Sequence, residues 1–178
     1  RTQAAGLTPV RYWGMLAASF ALLAYASAWL KCHYPAAFLA ALLNSQPMGF
    51  YSPSQLVRDA RRHGVEVRPV DVCASDWEAT LESMDGDPPA VRLGMNLVRG
   101  LTCDAGWRIE EARAVRAFSD VRDLAQRANL SATDMKALAA ANALANLAGH
   151  RREAWWHASS AASGKGLLKH ALADDVSV

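Results

Sequence analysis

The chain has 178 residues, enough for one domain or two small ones with a sizeable hydrophobic core. Its 19 Lys and Arg residues stand against 17 Asp and Glu residues, which excludes a strongly basic protein, so any nucleic-acid-binding surface must be local. The three cysteines, Cys32, Cys73 and Cys103, are far apart and include no Cys-x-x-Cys pair. They therefore indicate neither a disulfide framework nor a structural zinc site, and they favour a reducing, cytoplasmic compartment.

The longest uncharged stretch runs from Tyr12 to Leu30, nineteen residues between Arg11 and Lys31. Its length fits a membrane span, and the run Ala-Ser-Ala at 26–28 fits the cleavage site of a signal peptide. Six alanines make the stretch uncharged without making it strongly hydrophobic, which favours a third interpretation, a helix buried in a protein core. A second apolar helix, "PAAFLAALLNSQ", follows at once, and a cleaved precursor has no reason to contain one there. The residues alone leave the three interpretations open.

Two helices are predicted in the first quarter of the chain. The first runs from about Met15 to Lys31 or Cys32, after a lead-in without pattern. The second begins at Pro35, because the missing N–H of proline costs nothing in the first turn of a helix.

The third predicted helix follows Ser52 and Pro53, an N-cap and first-turn pair, and stops at Gly64, a residue type common at helix C-termini. Its spacing gives it an apolar face toward the core and a basic face toward solvent. The apolar face consists of Leu56, Val57 and Ala60, and the basic face consists of Arg58, Arg61, Arg62 and His63.

Beyond this helix the periodicity changes to two residues, which indicates β-strands. "VEVRPVDV" predicts a short strand, and "WEATL" and "AVRLG" on either side of the turn-rich "ESMDGDPP" predict a β-hairpin. Asp71, Asp76 and Glu78 alternate with apolar residues here, and we interpret them as a solvated strand face rather than a carboxylate cluster. From Leu93 to about Gly149 the pattern is helical again, and a polar tail follows. The expected fold class is therefore mainly α, in an α+β arrangement.

The last helical region contains a short internal repeat. "VRGLTCDAG" (98–106) and "RANLSATDM" (127–135) each place Gly or Asn, then Leu, then Thr or Ser, and then an Asp at the start of a new helix. Gly and Asn are the residues that best tolerate a left-handed backbone, and Thr and Ser are N-cap residues. The pattern predicts two helix-hairpin-helix units, in each of which the leucine fills the space between the helices. The turn residues are Gly100, Leu101 and Thr102 in the first unit and Asn129, Leu130 and Ser131 in the second.

Such a turn can bind an anion, because the N–H groups at the N-terminus of its second helix have a partial positive charge. In a nucleic-acid duplex the repeating anion is phosphate, and contacts of this kind hold the backbone without reading bases. Arg99 lies beside the first turn, with Arg92 and Arg108 near it, and we predict that these arginines add positive charge. The second turn has Ala128 in place of a basic residue and a side chain at Asn129, so we interpret it as structural. Single turns of this type also occur as packing corners, and it is the doubled pattern that favours DNA binding.

Three runs of the sequence are the most distinctive: "LLNSQPMGFYSPSQLVRDARRHGVEVRPVDV", "VRLGMNLVRGLT" and "ALAAANALANLAGHRREAWW". In this order, and over residues 17 to 157, they resemble the error-prone branch of the bacterial DNA polymerase III alpha-subunit family. The resemblance implies a DNA-directed DNA polymerase, a nucleotidyltransferase of DNA replication and repair that copies damaged templates in an inducible, SOS-type mutagenic response. It also implies primer-template DNA, the sliding clamp and companion mutagenesis proteins as partners in the cytoplasm, with no membrane.

The resemblance also implies a domain organisation. Under it, the uncharged stretch is mostly a buried helix of the polymerase fingers and does not face lipid. The expected parts are a divergent lead-in (1–16), the helical end of the fingers (17–64), a connector of short strands and a β-hairpin (65–91), a tandem helix-hairpin-helix DNA-binding domain (92–150) and a tail (151–178).

The sequence departs from the family's pattern before the first matching helix. The family has a Gly-Phe-Pro-x-Ser-His-like run there, whereas this chain has "VRYWGML". The family's palm, whose aspartates hold two Mg²⁺ ions, lies upstream of the matching region, so we expect a C-terminal fragment or truncated product that is inactive alone. No catalytic, metal-binding or cofactor-binding residue is visible in the sequence.

Two functions of different classes follow from the sequence. The first is a DNA-binding segment of an error-prone DNA polymerase, which grips the duplex backbone through its hairpins. The alternative is a truncated, non-catalytic remnant that acts only as a protein-interaction module.

Overall fold

The computed structural model describes residues 9–48, 51–83 and 88–148, and the predicted tail lies outside these ranges. The described residues form seven α-helices, one 3₁₀ helix and a three-stranded sheet, which confirms the mainly helical α+β class. The helices are α1 (Pro9–His33), α2 (Pro35–Asn44), α3 (Pro53–Arg62), α4 (Cys103–Val115), α5 (Val121–Arg127), α6 (Ala132–Ala140) and α7 (Ala145–Ala148), with the 3₁₀ helix at Met95–Leu97. The strands are β1 (Val67–Arg68), β2 (Thr80–Glu82) and β3 (Ala90–Arg92).

Helix α1 is exposed to solvent from Trp13 to His33. Trp13, Phe20, Leu22 and Tyr25 are each more than 60% exposed. The expectation of a buried helix is therefore wrong for this chain, because no other part of the described chain covers the helix. Residues Trp13–His33 are long and apolar enough to cross a membrane, by a criterion that core helices and signal sequences also meet.

Helices α2 and α3 begin where the sequence predicts. Helix α2 starts at Pro35, and Ser52 caps α3 in a capping box, since Gln55 N–H donates to Ser52 Oγ and Ser52 N–H donates to Gln55 Oε1 over 3.1 Å. Gly64, at φ +80°, terminates α3 as predicted. The predicted inner face of α3 packs against one of the two hydrophobic cores. That core consists of Ala36, Leu39, Ala40, Leu43, Val65, Val67, Ala79 and Val91.

The sheet has the order β1-β3-β2. Strands β2 and β3 are antiparallel, with Leu81 opposite Val91, which confirms the predicted hairpin. Strand β1 pairs with β3 in parallel, with Val67 opposite Val91. The sheet therefore brings the residues after α3 next to those that precede the 3₁₀ helix.

An ion-pair network lies across the sheet. Glu82 on β2 accepts hydrogen bonds from Arg92 Nε over 2.7 Å and from Arg68 Nη1 over 2.6 Å. The Arg92 hydrogen bond and, after it, the Arg68 hydrogen bond lower the pKa of Glu82, although burial acts in the opposite direction. Arg92 also donates to the carbonyl of Pro69 over 3.0 Å. These contacts join all three strands of the sheet through the Glu82 carboxylate.

The turn that follows β1, residues 71–76, is partly buried against the helical half of the chain. Asp71 is 8% exposed, and its carboxylate accepts hydrogen bonds from Cys73 N–H over 2.9 Å and from the side-chain amide of Asn146, which lies on α7. Ser75 is fully buried, and its hydroxyl accepts from Asp71 N–H and donates to the carbonyl of Leu93 over 2.8 Å. The interpretation of Asp71 as part of a solvated face is therefore wrong.

Arg113 on α4 holds the same turn from the other side. Its guanidinium donates to the carbonyls of Val72 over 3.2 Å and Ser75 over 2.7 Å, and it forms an ion pair with Asp76. Asp76 is thus also a structural partner, although its side chain is half exposed, and Glu78 is exposed as predicted. Hydrogen bonds and one ion pair thus join this turn, and with it the sheet, to α4 and α7, and they leave few polar atoms of the turn unpaired.

The second hydrophobic core lies among the 3₁₀ helix and α4 to α7. Both hairpin leucines belong to it, Leu101 at 9% exposure and Leu130 at 5%. Its other large members include Met95, Ile109, Leu124, Met135, Leu138 and Leu144. Leu93 packs against both cores and so connects them.

The Glu82 network predicts a pH-dependent stability difference. The folded-state pKa of Glu82 is lowered, so its contribution is present above the unfolded-state value of about 4.3 and is lost as pH falls through the folded-state value. We expect Glu82→Gln to lower the free energy of unfolding by about 1 kcal/mol at neutral pH and by little near pH ~3. Urea denaturation at both pH values measures this. Glu78→Gln is the control and should change neither value, and an equal loss at both pH values for Glu82→Gln contradicts the network.

Substitution of Arg113 should lower the free energy of unfolding by more than substitution of Glu82, because Arg113 bonds to backbone carbonyls as well as to a carboxylate. Arg113→Gln leaves buried carbonyls without their donor, so we expect the free energy of unfolding to fall by about 2–3 kcal/mol. Arg116→Gln on the same helix is the matched control, because Arg116 is 68% exposed and should matter by less than about 0.5 kcal/mol. Equal urea midpoints for the two variants would contradict a structural role for Arg113.

Candidate nucleic-acid interface

The first hairpin joins the 3₁₀ helix to α4 through Gly100, Leu101 and Thr102. Gly100 has φ +88°, Leu101 N–H donates to the carbonyl of Val98 over 3.2 Å, and Thr102 is the N-cap of α4, where its hydroxyl accepts from Ala105 N–H over 3.3 Å. The predicted left-handed backbone and N-cap are confirmed. The leading helix is only the short 3₁₀ helix, and Val98 after it is extended.

The turn of the first hairpin presents donors to solvent. Arg99, Gly100 and Thr102 are exposed, and within residues 9–48, 51–83 and 88–148 no acceptor pairs with the N–H groups of Gly100, Thr102 or Cys103. Helix α4 is 13 residues long, so its N-terminus contributes a substantial partial positive charge at this point. The turn is therefore a surface that an anion can approach, with N–H donors that lack protein partners.

The predicted arginines differ in their surroundings. Arg99 is exposed, and no acidic side chain in the described chain lies within ion-pair distance of it. Arg108 is half-buried on α4, and its Nε atom is enclosed without a hydrogen-bond partner among the described residues. Arg92 belongs to the sheet, where its side chain is 13% exposed and bound to Glu82, so its assignment to the DNA contact is corrected. Of the three, Arg99 is the arginine that lies free beside the turn.

Helix α6 packs beside the first turn. A Cβ atom on Gly100 would lie 4.0 Å from the Cβ of Ala137, which is ordinary van der Waals contact. Lys136, the residue before Ala137 on α6, is exposed. The contact between α6 and the first turn depends on how the two hairpins pack against each other, and the sequence contains no signal for it.

The second hairpin also has a left-handed turn residue, but its backbone hydrogen bonds and its electrostatics differ. Asn129 has φ +46°, and its N–H donates to Gln126 O over 3.3 Å while Leu130 N–H donates to Ala125 O over 3.0 Å, so both groups complete the end of α5. Ser131 caps α6 as predicted, in a capping box with Asp134. The placement of Asn129, Leu130 and Ser131 at a tight turn is confirmed.

Asp134 occupies the N-terminus of α6. Its carboxylate accepts from Ser131 N–H over 3.0 Å and from the Ser131 hydroxyl over 2.7 Å, and the residue is 7% exposed. An internal anion thus already sits where phosphate would bind, which favours the structural interpretation of this hairpin. The corresponding residue of the first hairpin, three positions after the N-cap, is Ala105, which has no charge.

Arg127 near the second hairpin is also structural. Its guanidinium donates to the carbonyls of Ala112 and Arg116, pairs with Asp123 and lies 5.0 Å from the centre of the Phe118 ring. The pKa of Asp123 is lowered, first by the Ser119 N–H and then by Arg127. These contacts close the corner between α4 and α5, so this arginine is not free for an external anion.

Comparison with known proteins identifies the surrounding region. A model of the helix-hairpin-helix motif matches residues 64–154, which include both turns. The chain is 62% identical over 157 residues to an error-prone DNA polymerase of Bordetella parapertussis, a match that covers 88% of this chain and 15% of the relative. Error-prone DNA polymerases of Burkholderia pseudomallei (60% identical over 164 residues, 89% of this chain and 15% of the relative) and of Azoarcus sp. (63% over 145 residues, 79% and 14%) match similarly.

The chain spans about 15% of the length of these relatives. The match nevertheless includes both the region around α2 and α3 and the paired hairpins, and it covers most of the chain at high identity. The chain therefore belongs to the error-prone DNA polymerase family, as a segment that contains the helix-hairpin-helix motif.

Proposed function

We propose that this segment binds duplex DNA through the sugar-phosphate backbone at the first hairpin and so helps an error-prone DNA polymerase to hold its substrate. The observation behind the proposal is the exposed turn at Gly100, where N–H groups of Gly100, Thr102 and Cys103 have no acceptor in the described chain. A phosphate oxygen supplies the acceptor these groups lack, and the N-terminus of α4 favours its charge.

The proposed contact has no base specificity. Backbone N–H groups and the exposed Arg99 recognise phosphate, which is the same at every step of the duplex. A polymerase that moves along its template needs sequence-independent binding of this kind, because a base-specific contact would hold it at preferred sequences. The second hairpin supports the first mechanically, through Leu130 and the packing of α6, while Asp134 fills its own anion position.

The wider activity rests on the name of the relatives and the resemblance of the sequence. We propose DNA-directed DNA polymerisation by the protein to which this segment contributes, in translesion synthesis and damage-induced mutagenesis in the cytoplasm, with the sliding clamp and companion mutagenesis proteins as partners. The Mg²⁺ ions of such a reaction do not fit the described residues, since no three His, Cys, Asp or Glu side chains in them are grouped as ligands. No step of that chemistry is therefore assigned to this segment.

A second candidate function, a protein-interaction module, is favoured by helix α1. Its large apolar side chains are exposed over about six helical turns, far more than a solvated helix needs, so a protein surface that covers α1 would remove them from water. The two functions occupy different parts of the chain and can coexist.

Gly100 gives the first test. Gly100→Val forces a branched side chain onto a backbone at φ +88° and places it at the anion-binding turn. We expect the affinity for a labelled blunt duplex to fall about tenfold, and the slope of log K against log salt to become shallower by about 0.9 for each phosphate that the variant no longer neutralises. Fluorescence anisotropy over several salt concentrations measures both quantities.

Gly64→Val is the matched control for this substitution. Gly64 has nearly the same backbone, φ +80°, and a Cβ there meets no atom within 4 Å, but it ends α3 and is not part of either hairpin. The control should lose a similar amount of stability and keep the duplex affinity. If both variants weaken the duplex equally, or if neither does, the first hairpin is not the contact.

Ser131 tests the asymmetry between the hairpins. Ser131→Ala removes the N-cap of α6, so we expect the free energy of unfolding to fall by about 1 kcal/mol while the salt slope of duplex binding stays unchanged. Thermal denaturation and the anisotropy titration are read on the same preparation. A shallower salt slope would show that the second hairpin also contacts phosphate, which contradicts the role of Asp134 as the internal anion of that hairpin.

A further inference from the structure

A groove lies outside the hairpins, between the C-terminal end of α1 and helices α2 and α3. Its volume is about 1230 Å³, which exceeds that of an ordinary small-ligand pocket. The floor is apolar and is formed mainly by Phe38, Leu39, Leu42, Met48 and Leu56. The rim is polar and basic, so the groove differs in character from the mostly apolar surface of α1 before Lys31.

The charge of the rim is unbalanced. Lys31, Arg58 and Arg62 line the groove against a single carboxylate, Asp59. Lys31 binds that carboxylate over 2.8 Å and lowers its pKa, with smaller contributions from His63 and Arg62. The one anion of the rim is thus already held by a cation from α1.

Arg58 and Arg62 remain as cations without a bound carboxylate. Both are exposed, and neither lies within ion-pair distance of an acidic side chain among residues 9–48, 51–83 and 88–148. They are four positions apart on α3, which separates them by about 6 Å along one face of the helix. A row of two guanidinium groups on one face matches consecutive phosphates of a nucleic-acid strand.

An exposed aromatic ring lies on the same groove. Tyr51 is 63% exposed and lines the groove just before the N-cap of α3. Single-stranded nucleic acids bind where a positive groove follows the phosphates and an aromatic ring stacks on a base. The groove combines both features with an apolar floor.

We propose that this groove binds single-stranded nucleic acid, with Arg58 and Arg62 on neighbouring phosphates and Tyr51 stacked on a base. The surface is independent of the hairpin contact, since it is built from α1, α2 and α3 and shares no residue with the hairpins. An unpaired strand that leaves the duplex would thus have a second place on the same chain.

The test uses the full chain with two fluorescent probes, an oligothymidine of about 12 nucleotides and a blunt duplex. Arg62→Gln should weaken oligothymidine binding about fivefold, make its salt slope shallower by about 0.7, and leave duplex binding unchanged. Arg122→Gln on α5 removes an equal charge from an exposed position outside the groove and should leave oligothymidine binding unchanged. If Arg62→Gln binds oligothymidine like the unmodified chain, or no more weakly than Arg122→Gln does, the proposal is overturned.

A pair of substitutions at Tyr51 tests the stacking contact. Tyr51→Ala should weaken oligothymidine binding by about fivefold or more, while Tyr51→Phe, which keeps the ring and loses the hydroxyl, should bind as before. Equal losses in both variants, or no loss in either, would overturn the stacking role. Gly100→Val should not affect the oligothymidine, so loss of duplex binding and loss of groove binding are observed separately.

Discussion

The fold depends most on the partly buried turn at residues 71–76, because this is where the sheet and the helical half of the chain are joined by directional hydrogen bonds. Asp71 binds Asn146 of α7, Ser75 binds the chain after β3, and Arg113 of α4 binds two carbonyls of the turn. A buried carboxylate and a mostly buried guanidinium are costly to desolvate, so they are tolerated only because each has hydrogen-bond partners inside the fold. That requirement fixes the direction of α4 relative to the sheet and with it the place at which the first hairpin meets solvent.

The two hairpins show how one side chain at a helix N-terminus decides whether its N–H groups can bind an external anion. Both turns have a left-handed residue, a buried leucine and a hydroxyl N-cap, and they differ at the third residue after the cap, which is Ala105 in the first and Asp134 in the second. The aspartate completes a capping box and neutralises the end of α6, which stabilises the helix and removes an anion site. The alanine leaves the N-cap of α4 without a capping-box carboxylate, although Asp104 lies in the first turn of that helix. Helix capping and anion binding therefore compete for the same N–H groups: the second hairpin uses the Ser131 N–H in its own cap, and no acceptor in the described chain pairs with the Thr102 N–H of the first.

Local features of this fold could be predicted from the sequence, whereas features set by long-range packing could not. The left-handed turns at Gly100 and Asn129 and the capping box at Ser52 depend on residues within a few positions of one another, and the structure has all of them. Proximity to the first hairpin in sequence predicts a DNA contact for Arg92, but pairing of β2 with β3 puts Glu82 beside it. Alternation with apolar residues predicts a solvated Asp71, but its partner Asn146 is 75 positions away. The exposure of α1 likewise depends on what packs against it, which no periodicity encodes.

The distribution of arginine matters more for binding than the net charge. The near-neutral net charge of the chain does not show whether a local nucleic-acid-binding surface exists. What matters is which basic side chains are already paired within the fold. Those engaged in ion pairs with the chain's own carboxylates include Arg68, Arg92, Arg113 and Arg127. Those without such a carboxylate within ion-pair distance, in the part of the chain that the structure describes, include Arg58, Arg62 and Arg99. Unpaired arginines thus occur both at the first hairpin and at the groove beside α3, and a guanidinium that has no internal anion is the one whose binding to an external phosphate requires no bond to be broken.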